Sequence, residues 1–409
     1  MSVEQNFLKI FKLKSFKKKI VIFGSGNTAS KTIRLIGKNK VSFIVDNLKS
    51  LWSSEYEEKK IFNPSKIKKG QNKYFIIICT TSYDEVSKQL NEYGFKYNSD
   101  FIISPILDDI RNVHKIENHN VNLIFSSGGP KNTNKDYGGG IYQLIFNNNN
   151  WHYKKKISAG NCYGITKYKE NFVCASSELG VFEFNKNFRI IRKKNFSVGS
   201  RPHGISYSED NKEFYVTMSN QDKIIVLDNN FDFKFKIEIS EKFKKFKTPS
   251  HHCNDCVYHN GYLYVSMFSE TGNWKNDVYD GCILEIDIEN KKILKPIKKN
   301  LWMPHNPEII EGSFYVNDSL KGDLLGNNFS VLGSFPAFTR GLAHDGTFFY
   351  LGQSRNRNPS KNIGVKNNIS IDAGIIVFDE KTKLSKFLQI SSKISEIHSI
   401  KIFKDDYEK

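Results

Sequence analysis

A short polar phrase recurs through the second half of the chain, usually with a histidine near its head. Each copy precedes an apolar, strand-like run such as EFYVTMS or GYLYVSMF. A repeat on this scale indicates stacked or radial units. If the units are radial, their head residues meet at one place, which we predict to be the functional site. The phrases are centred on His203, on His251 and His252, on His305, on Arg340 and on His398.

These residue types suit proton transfer, metal binding or anion binding. Imidazole transfers protons near neutral pH and ligates divalent metals. Guanidinium binds carboxylate or phosphate through two parallel hydrogen bonds. The predicted catalytic residues are His203, His305, His398 and Arg340. A divalent metal held by His203, His252, His305 and His398 is a second possibility. A third is that each imidazole only caps its own repeat by donating to a neighbouring backbone carbonyl.

The spacing of a second repeat predicts how these residues are positioned. From about Val121, short strands alternate with turns, and apolar runs such as GGGIYQLIF, KIIVLD and GIIVFD recur. Residues 121–409 divided by six give about 48 residues per unit, close to a four-stranded propeller blade. We therefore predict a six-bladed β-propeller over residues 120–409, closed by the final EIHSIKIF joining the first blade. A two-sheet sandwich is the rival architecture.

Residues 1–115 have a different pattern, in which strand, glycine turn, helix and strand follow one another. The G-x-G-x-x-A phrase after the first apolar run permits a tight turn and close approach of a phosphate. An aspartate twenty residues later suits a ribose hydroxyl. We predict a small Rossmann-like parallel-sheet domain, which makes the fold class α/β plus all-β. Its nucleotide or nucleotide-sugar site comprises Gly24, Gly26, Ala29, Asp46 and Thr80. A degenerate scaffold or docking domain is the alternative.

Composition limits the classes of partner and the cellular location that we expect. The net charge is +18, but lysine predominates and no nucleic-acid motif is present, so we expect no nucleic-acid partner. No apolar run approaches the roughly 18 residues needed to cross a membrane. The basic segment 7–19 is expected to be a capping helix rather than a peripheral membrane contact. The absence of a secretory signal and the six cysteines predict a cytoplasmic protein with reduced thiols. No sequence feature sets the oligomeric state.

Two family resemblances accompany these patterns. The phrases S-R-P-H-G-I, H-H-x-N-D, W-M-P-H-N-P, F-T-R-G-L-A and E-I-H-S-I, spanning about 200–400, resemble an uncharacterised bacterial propeller family, a domain of unknown function. That resemblance implies a propeller but no reaction. I-x-G-x-G-x-x-A, F-I-V-D-N and I-I-I-C-T-x-x-Y resemble the small N-terminal domain of PglD-type sugar acyltransferases. In those relatives the domain can bind a nucleotide sugar.

Together these features predict a cytoplasmic protein of bacterial surface-glycan or polysaccharide biosynthesis. Its propeller is expected to bind, or act on, an anionic sugar or nucleotide-sugar at a His-lined channel mouth. The chemistry would be proton transfer of the epimerase, lyase or hydrolase type, with or without a divalent metal. A non-catalytic binding or assembly module remains the alternative, so enzyme activity is open. A third hypothesis is an NAD(P)-dependent oxidoreductase using Gly24, Gly26 and Asp46.

Overall fold

A computed structural model describes residues 7–8, 11, 17–129, 137–357, 359–362 and 368–404. The chain divides into two compact units, Met1–Lys115 and Ile116–Lys409. Most of the predicted capping segment 7–19 lies outside the described residues. Of that segment, Phe7 and Phe11 are buried in the core of the first unit. Every described helix is too short or too polar to cross a bilayer.

The first unit is a small sheet with helices. Its strands β1, β2, β5 and β6 are parallel, β4 pairs in parallel with β2, and β3 runs antiparallel to β4. The sheet order is β3-β4-β2-β1-β5-β6. The strands are β1 Lys19–Phe23, β2 Val41–Val45, β3 Glu55–Tyr56, β4 Lys59–Phe62, β5 Tyr74–Ile78 and β6 Phe101–Ile103. The helices whose bounds the structure describes are α1 Asn27–Ile36, α2 Tyr83–Glu92 and α3 Asp108–Glu117.

The sequence of the central strands explains this layered arrangement. β1 reads KIVIF and β5 reads YFIII, and nearly every side chain in both is buried. Such continuous apolar runs are typical of parallel strands covered on both faces. Two separate apolar clusters lie against the sheet, one containing Ile22 and Phe75 and the other Phe23 and Ile76. The predicted α/β unit is confirmed.

The second unit consists of six antiparallel sheets. The first contains β7 Asn120–Ser127, β8 Gly140–Asn147 and β9 Asn150–Ser158. The second and third contain β10 Cys162–Tyr168, β11 Asn171–Ser176, β12 Gly180–Phe184, β13 Ile190–Lys194, β14 Pro202–Ser208, β15 Glu213–Met218, β16 Lys223–Asp228 and β17 Phe233–Glu238, followed by helix α4 Glu241–Phe246. The fourth contains β18 Cys253–His259, β19 Tyr262–Met267, β20 Gly281–Asp287, β21 Lys292–Ile293 and β22 Lys298–Leu301. The fifth and sixth contain β23 His305–Ile310, β24 Ser313–Asp318, β25 Asp323–Leu325, β26 Val331–Ser334, β27 Phe338–His344, β28 Phe349–Ser354, β29 Gly374–Phe378 and β30 Ser385–Gln389, and β31 is Ser399–Ile402.

The last strand closes the ring. β31 pairs antiparallel with β7, with Ser399 opposite Ser126 and Ile402 opposite Leu123. It therefore supplies the innermost strand of the first blade from the end of the chain, as predicted. The inner strands contact one another in the order β10, β14, β18, β23, β27 and β31, and β31 contacts β10 again. The six-bladed propeller is confirmed.

The head phrases form the beginnings of the inner strands. The runs EFYVTM and YLYVSM form the second strands, β15 and β19, and not the inner strands. The inner strands begin within the head phrases themselves, at Pro202 and Cys253. Their crowding around the axis leaves little room for side chains. A Cβ on Gly204 would lie 2.5 Å from the Asp255 Cα, so glycine is required at that position.

Candidate functional site

The head residues meet around one cavity of about 520 Å³. All of the predicted catalytic and metal-binding residues of the propeller line it: His203, His252, His305, His398 and Arg340. The ring centroid of His203 lies 5.7 Å from that of His398, 6.3 Å from that of His305 and 6.5 Å from that of His252. The structure therefore brings four imidazoles and one guanidinium together where the inner strands begin. Their roles are still predictions.

A repeated backbone irregularity positions these side chains. In five inner strands the pairing register shifts close to the head residue. The shifts fall between Cys162 and Ile165, Pro202 and Ile205, Cys253 and Cys256, His305 and Glu308, and Arg340 and Leu342. A bulge bends its strand and redirects side chains locally. The same device in successive blades explains why equivalent head residues converge.

His203 forms a buried pair with an aspartate. Its Nδ1 lies 3.3 Å from Asp255 Oδ1, and the other oxygen, Oδ2, accepts the backbone N–H of Asn306 at 3.0 Å. Burial lowers the pKa of His203, although the hydrogen bond with Asp255 opposes the shift. Because a carboxylate can only accept, the neutral ring carries its proton on Nδ1. The unprotonated Nε2 is then available to a ligand in the cavity.

His305 has the same tautomer for a different reason. Its Nδ1 lies 2.9 Å from the Met303 carbonyl oxygen and 2.9 Å from Ser319 Oγ. The carbonyl accepts, so Nδ1 carries the proton and Nε2 remains a base. Burial, with a further contribution from Arg340, lowers the pKa of His305 well below its ordinary value. The ring is only 2% exposed and is neutral at pH 7.

His398 differs from the other two because both of its nitrogens are engaged. Arg340 donates through one terminal nitrogen to His398 Nδ1 at 3.1 Å. The ring proton is therefore on Nε2, which donates to Glu396 Oε2 at 3.2 Å. Burial and the charge of Arg340 lower the pKa of His398 to about 4. We conclude that His398 orients Arg340 and Glu396 and does not present a free base.

Glu396 anchors two guanidinium groups of the sixth blade. Its Oε1 lies 2.8 Å from Arg357 and 3.6 Å from Arg340. Burial would raise the pKa of Glu396, but the His398 hydrogen bond and the two guanidinium charges hold it well below its usual range. Arg340 is 6% exposed, and its buried Nε has no hydrogen-bond partner among the described residues. Arg340 therefore has an unused N–H donor beside the cavity that it lines.

His252 lies in an aromatic wall. Its ring centroid is 4.4 Å from that of Phe268 and 5.0 Å from that of Trp274. Burial, followed by the charge of Arg201, lowers its pKa well below the ordinary value. The neighbouring His251 does not line the cavity, and its Nδ1 lies 3.0 Å from the Ser269 carbonyl oxygen. The structure thus distinguishes two adjacent histidines that the sequence could not.

The predicted capping role is correct for only part of the set. His251 and His305 each lie within hydrogen-bonding distance of a backbone carbonyl. His203 and His398 have side-chain partners instead, so for these two the capping hypothesis was wrong. The metal hypothesis also gains no geometric support. Within the ranges that the structure describes, no group of three or more His, Cys, Asp or Glu is arranged to hold a metal ion.

The cavity wall is strongly cationic. Among the residues that the structure describes, six basic side chains line it and one carboxylate does, that of Asp277. The basic residues are Arg201, Lys275, Arg340, Arg355, Arg357 and Lys361. Asp277 forms an ion pair with Lys361, and Glu396 behind the wall pairs with Arg357. Since cations outnumber the nearby carboxylates, the cavity is suited to a small anion.

The predicted nucleotide site of the first unit is partly assembled. Gly24, Asp46 and Thr80 line a cavity of about 370 Å³. Gly26 precedes α1 as its N-cap, whereas Ala29 is fully buried and packs in the core. Both oxygens of the Asp46 carboxylate already accept hydrogen bonds, from Ser25 Oγ at 2.7 Å and from the backbone N–H of Leu48 at 2.9 Å. Nucleotide binding there stays a prediction.

Comparison with known proteins identifies the propeller. Residues 151–407 match the family model described as Domain of unknown function (DUF4915). The chain belongs to this family. Residues 16–102 match the model described as C2185-like, N-terminal. No curated protein matches the chain. The resemblance to PglD-type domains stays a prediction.

Several solved structures are similar to this DUF4915 protein. A chain of a nidogen/laminin complex has a TM-score of 0.51 at 12% identity, covering 69% of this chain and 98% of that chain. A protein of unknown function from Bacteroides caccae has a TM-score of 0.48 at 13% identity, covering 70% and 100%. A putative 6-phosphogluconolactonase from Bacteroides uniformis has a TM-score of 0.42 at 10% identity, covering 69% and 99%. At 12% identity, the similarity to the nidogen/laminin chain supports a shared fold and nothing more.

Two buried aspartates of the DUF4915 propeller were missed by the sequence analysis. Asp222 accepts the backbone N–H groups of Ser250, His251 and His252 at 2.5, 3.0 and 2.9 Å. It thereby holds His252 at a φ of +52° beside the cavity. Asp318 accepts the Trp302 N–H at 2.6 Å two blades later. Asp222 lies in the turn after β15 and Asp318 is the last residue of β24, so no shared position in the repeat pointed to them.

Proposed function

We propose that the channel mouth binds a small anionic sugar or nucleotide-sugar and that an imidazole at the mouth moves a proton of the bound ligand. The observation that carries this proposal is the tautomeric state of His203 and His305. Both place their proton on Nδ1 toward the protein and leave Nε2 basic. Basic nitrogens in a cavity with an excess of cations suit an anionic ligand with an acidic C–H bond.

His203 is the base in this proposal, because Asp255 lies behind it. Its Nε2 takes the ligand proton, and the imidazolium that forms is stabilised by the Asp255 carboxylate. The electron pair of the broken C–H bond moves onto the ligand's carbonyl or carboxylate oxygen, which Arg340 holds. Return of the proton to the carbon gives exchange or epimerisation. Departure of a β-substituent with its bonding electrons gives elimination.

The other residues position these groups. His398 fixes Arg340 through the hydrogen bond at its Nδ1. Tyr163 stacks on His203 with ring centroids 4.4 Å apart and accepts a hydrogen bond from Arg201 Nε at 3.2 Å. Trp274 supplies a flat aromatic surface at the cavity, suited to the apolar face of a sugar ring. These contacts support binding and orientation even if no reaction follows.

The experiment uses the full chain with UDP-glucuronate and free glucuronate in D₂O. Proton NMR then follows deuterium incorporation at C5, the carbon next to the carboxylate. We expect exchange that falls about a hundredfold in His203→Gln while binding changes little, since a general base contributes roughly that factor. His251→Gln is the matched control, because this neighbouring imidazole does not line the cavity.

Three results would count against the proposal. Binding of these ligands without exchange would favour the non-catalytic binding module. If neither ligand binds, as shown by an unchanged thermal midpoint at millimolar concentration, the proposed ligand class is wrong. Exchange that persists in His203→Gln would reassign the base, with His305 as the next residue to replace.

A further inference from the structure

We propose that the rim of this mouth contains a separate phosphoryl-binding subsite, formed by the loop of the fourth blade that carries Lys275 and the loop of the sixth blade that carries Arg357. This inference rests on the proposed function and names the ligand class more closely. The ligand would carry a phosphoryl group at the rim in addition to the group held by Arg340 deeper in the cavity.

The basic residues of the cavity are unevenly distributed between the blades. Four of the six come from just two loops: Lys275 from the loop between β19 and β20, and Arg355, Arg357 and Lys361 from the loop between β28 and β29. Asp277 and Lys361 join the two loops through an ion pair. The cationic rim is therefore a defined part of the wall, built from two adjoining loops, and not a general property of a lysine-rich surface.

The charge balance favours a dianion. Arg357 is paired with Glu396 and Lys361 with Asp277, whereas Lys275 and Arg355 have no ion pair among the described residues. A phosphate monoester carries up to two negative charges and several acceptor oxygens, so separate side chains can approach it from two loops. A carboxylate presents a single charge and two coplanar oxygens. Two cations without an ion pair, one on each loop, match the phosphoryl group better.

An independent observation comes from Trp274. Its Nε1 is buried and has no hydrogen-bond partner among the described residues. The indole is held by Phe268, with ring centroids 5.7 Å apart, and by His252. Indole N–H can only donate, so this buried group needs an acceptor. A phosphoryl oxygen between Lys275 and the sixth-blade loop would supply one.

The test measures binding to the full chain by calorimetry with four probes: inorganic phosphate, glucose 1-phosphate, UDP-glucose and glucuronate. Lys275→Gln should weaken binding of glucose 1-phosphate about fivefold, as expected for loss of one charge-assisted contact. Lys193→Gln is the matched control, since Lys193 is an exposed residue of the outer strand β13. Asp277→Asn should tighten binding, because it releases Lys361. Trp274→Phe keeps an aromatic ring but removes the N–H donor, and should weaken binding about threefold.

The outcomes separate this inference from the proposed function. Phosphoryl probes that bind tightly and respond to Lys275→Gln, Asp277→Asn and Trp274→Phe support the subsite. Tighter binding of UDP-glucose than of glucose 1-phosphate would identify a nucleotide-linked ligand, and equal binding would identify a simple phosphate ester. If the phosphoryl probes bind but ignore all three variants, the rim subsite is overturned. If only glucuronate binds, the subsite fails while the proposed function stands, and if nothing binds, both fail.

Discussion

Acidification from pH 7 to pH 5 should destabilise the propeller, because the mouth buries four neutral imidazoles. Burial is the largest cause of the lowered pKa of each ring. In the unfolded chain these groups return to an ordinary pKa of about 6.5. The unfolded state therefore binds more protons below that value. The contribution of these imidazoles to the free energy of unfolding is fully present above pH 6.5 and is lost as the pH falls below it.

The magnitude follows from the same linkage. Between pH 7 and pH 5, an imidazole that stays neutral in the fold but titrates at 6.5 when unfolded costs about 2 kcal/mol. His252, His305 and His398 therefore contribute about 6 kcal/mol, and His203 adds a smaller amount because Asp255 opposes its shift. Asp318, whose pKa burial raises to about 6, has the opposite sign. It returns about 1 kcal/mol, which leaves a net loss of about 5 kcal/mol.

Urea unfolding at pH 7 and pH 5 measures this loss. The chain has four tryptophans, and only Trp52 belongs to the first unit, so a Trp52→Phe background reports on the propeller alone. At an m-value of about 3 kcal/mol/M, the midpoint should fall by more than about 1 M. In His398→Gln the pH-dependent part should shrink by about 2 kcal/mol. The control His259→Gln alters a partly exposed ring and should retain the full effect.

A midpoint that is unchanged, or that rises, between pH 7 and pH 5 would refute this reasoning. Such a result would mean that the imidazoles are charged in the folded protein, or that they take up protons there as readily as in the unfolded chain. Glu396 does not contribute to the change between pH 7 and pH 5. Its pKa is held below the ordinary value of 4.5, so its contribution to stability is lost only under more acidic conditions.

Three further predictions concern the framework of the site. Gly204→Ala should lower the free energy of unfolding by about 3 kcal/mol in urea titrations, because its Cβ would meet the Asp255 backbone; an unchanged midpoint would contradict the crowding argument. Asp222→Ala should cost about 2 kcal/mol and weaken ligand binding by releasing His252, and normal stability and affinity would show that its three hydrogen bonds are dispensable. Truncation after residue 390 removes β31 and should abolish cooperative unfolding, whereas a truncated chain with the native thermal midpoint would show that closure is unnecessary.

Most of the propeller fold could be predicted from the sequence repeat. Alternating strands of nearly constant spacing determined the blade count, and the final EIHSIKIF segment could be assigned to the first blade. The phase within a blade was harder to predict. Inner strands such as PHGISYS are interrupted by glycine and bulged, so their pattern is weaker than that of EFYVTM. The first residue of each inner strand therefore could not be predicted from residue alternation alone.

For the site, the sequence predicted which residues come together but not the contacts that each side chain makes. Convergence of His203, His305 and His398 followed from repeat phase, because equivalent positions of radial units face one axis. Their tautomers did not, because these depend on partners in other blades or in the same phrase, such as Asp255 for His203. Which of two adjacent histidines faces the cavity also depends on the distant Asp222. Such contacts are set by tertiary packing and leave no periodic signal.

The most direct test of the central claim follows the histidines themselves while a ligand is added. The chain has ten histidines, and protein labelled with ¹³C at the imidazole Cε1 gives one resonance for each. Titration with UDP-glucuronate should shift the resonances of His203, His252, His305 and His398 and leave His114 and His152 unchanged. Shifts confined to His114, or no shifts at saturating ligand, would contradict an anion-binding site at the mouth of the propeller.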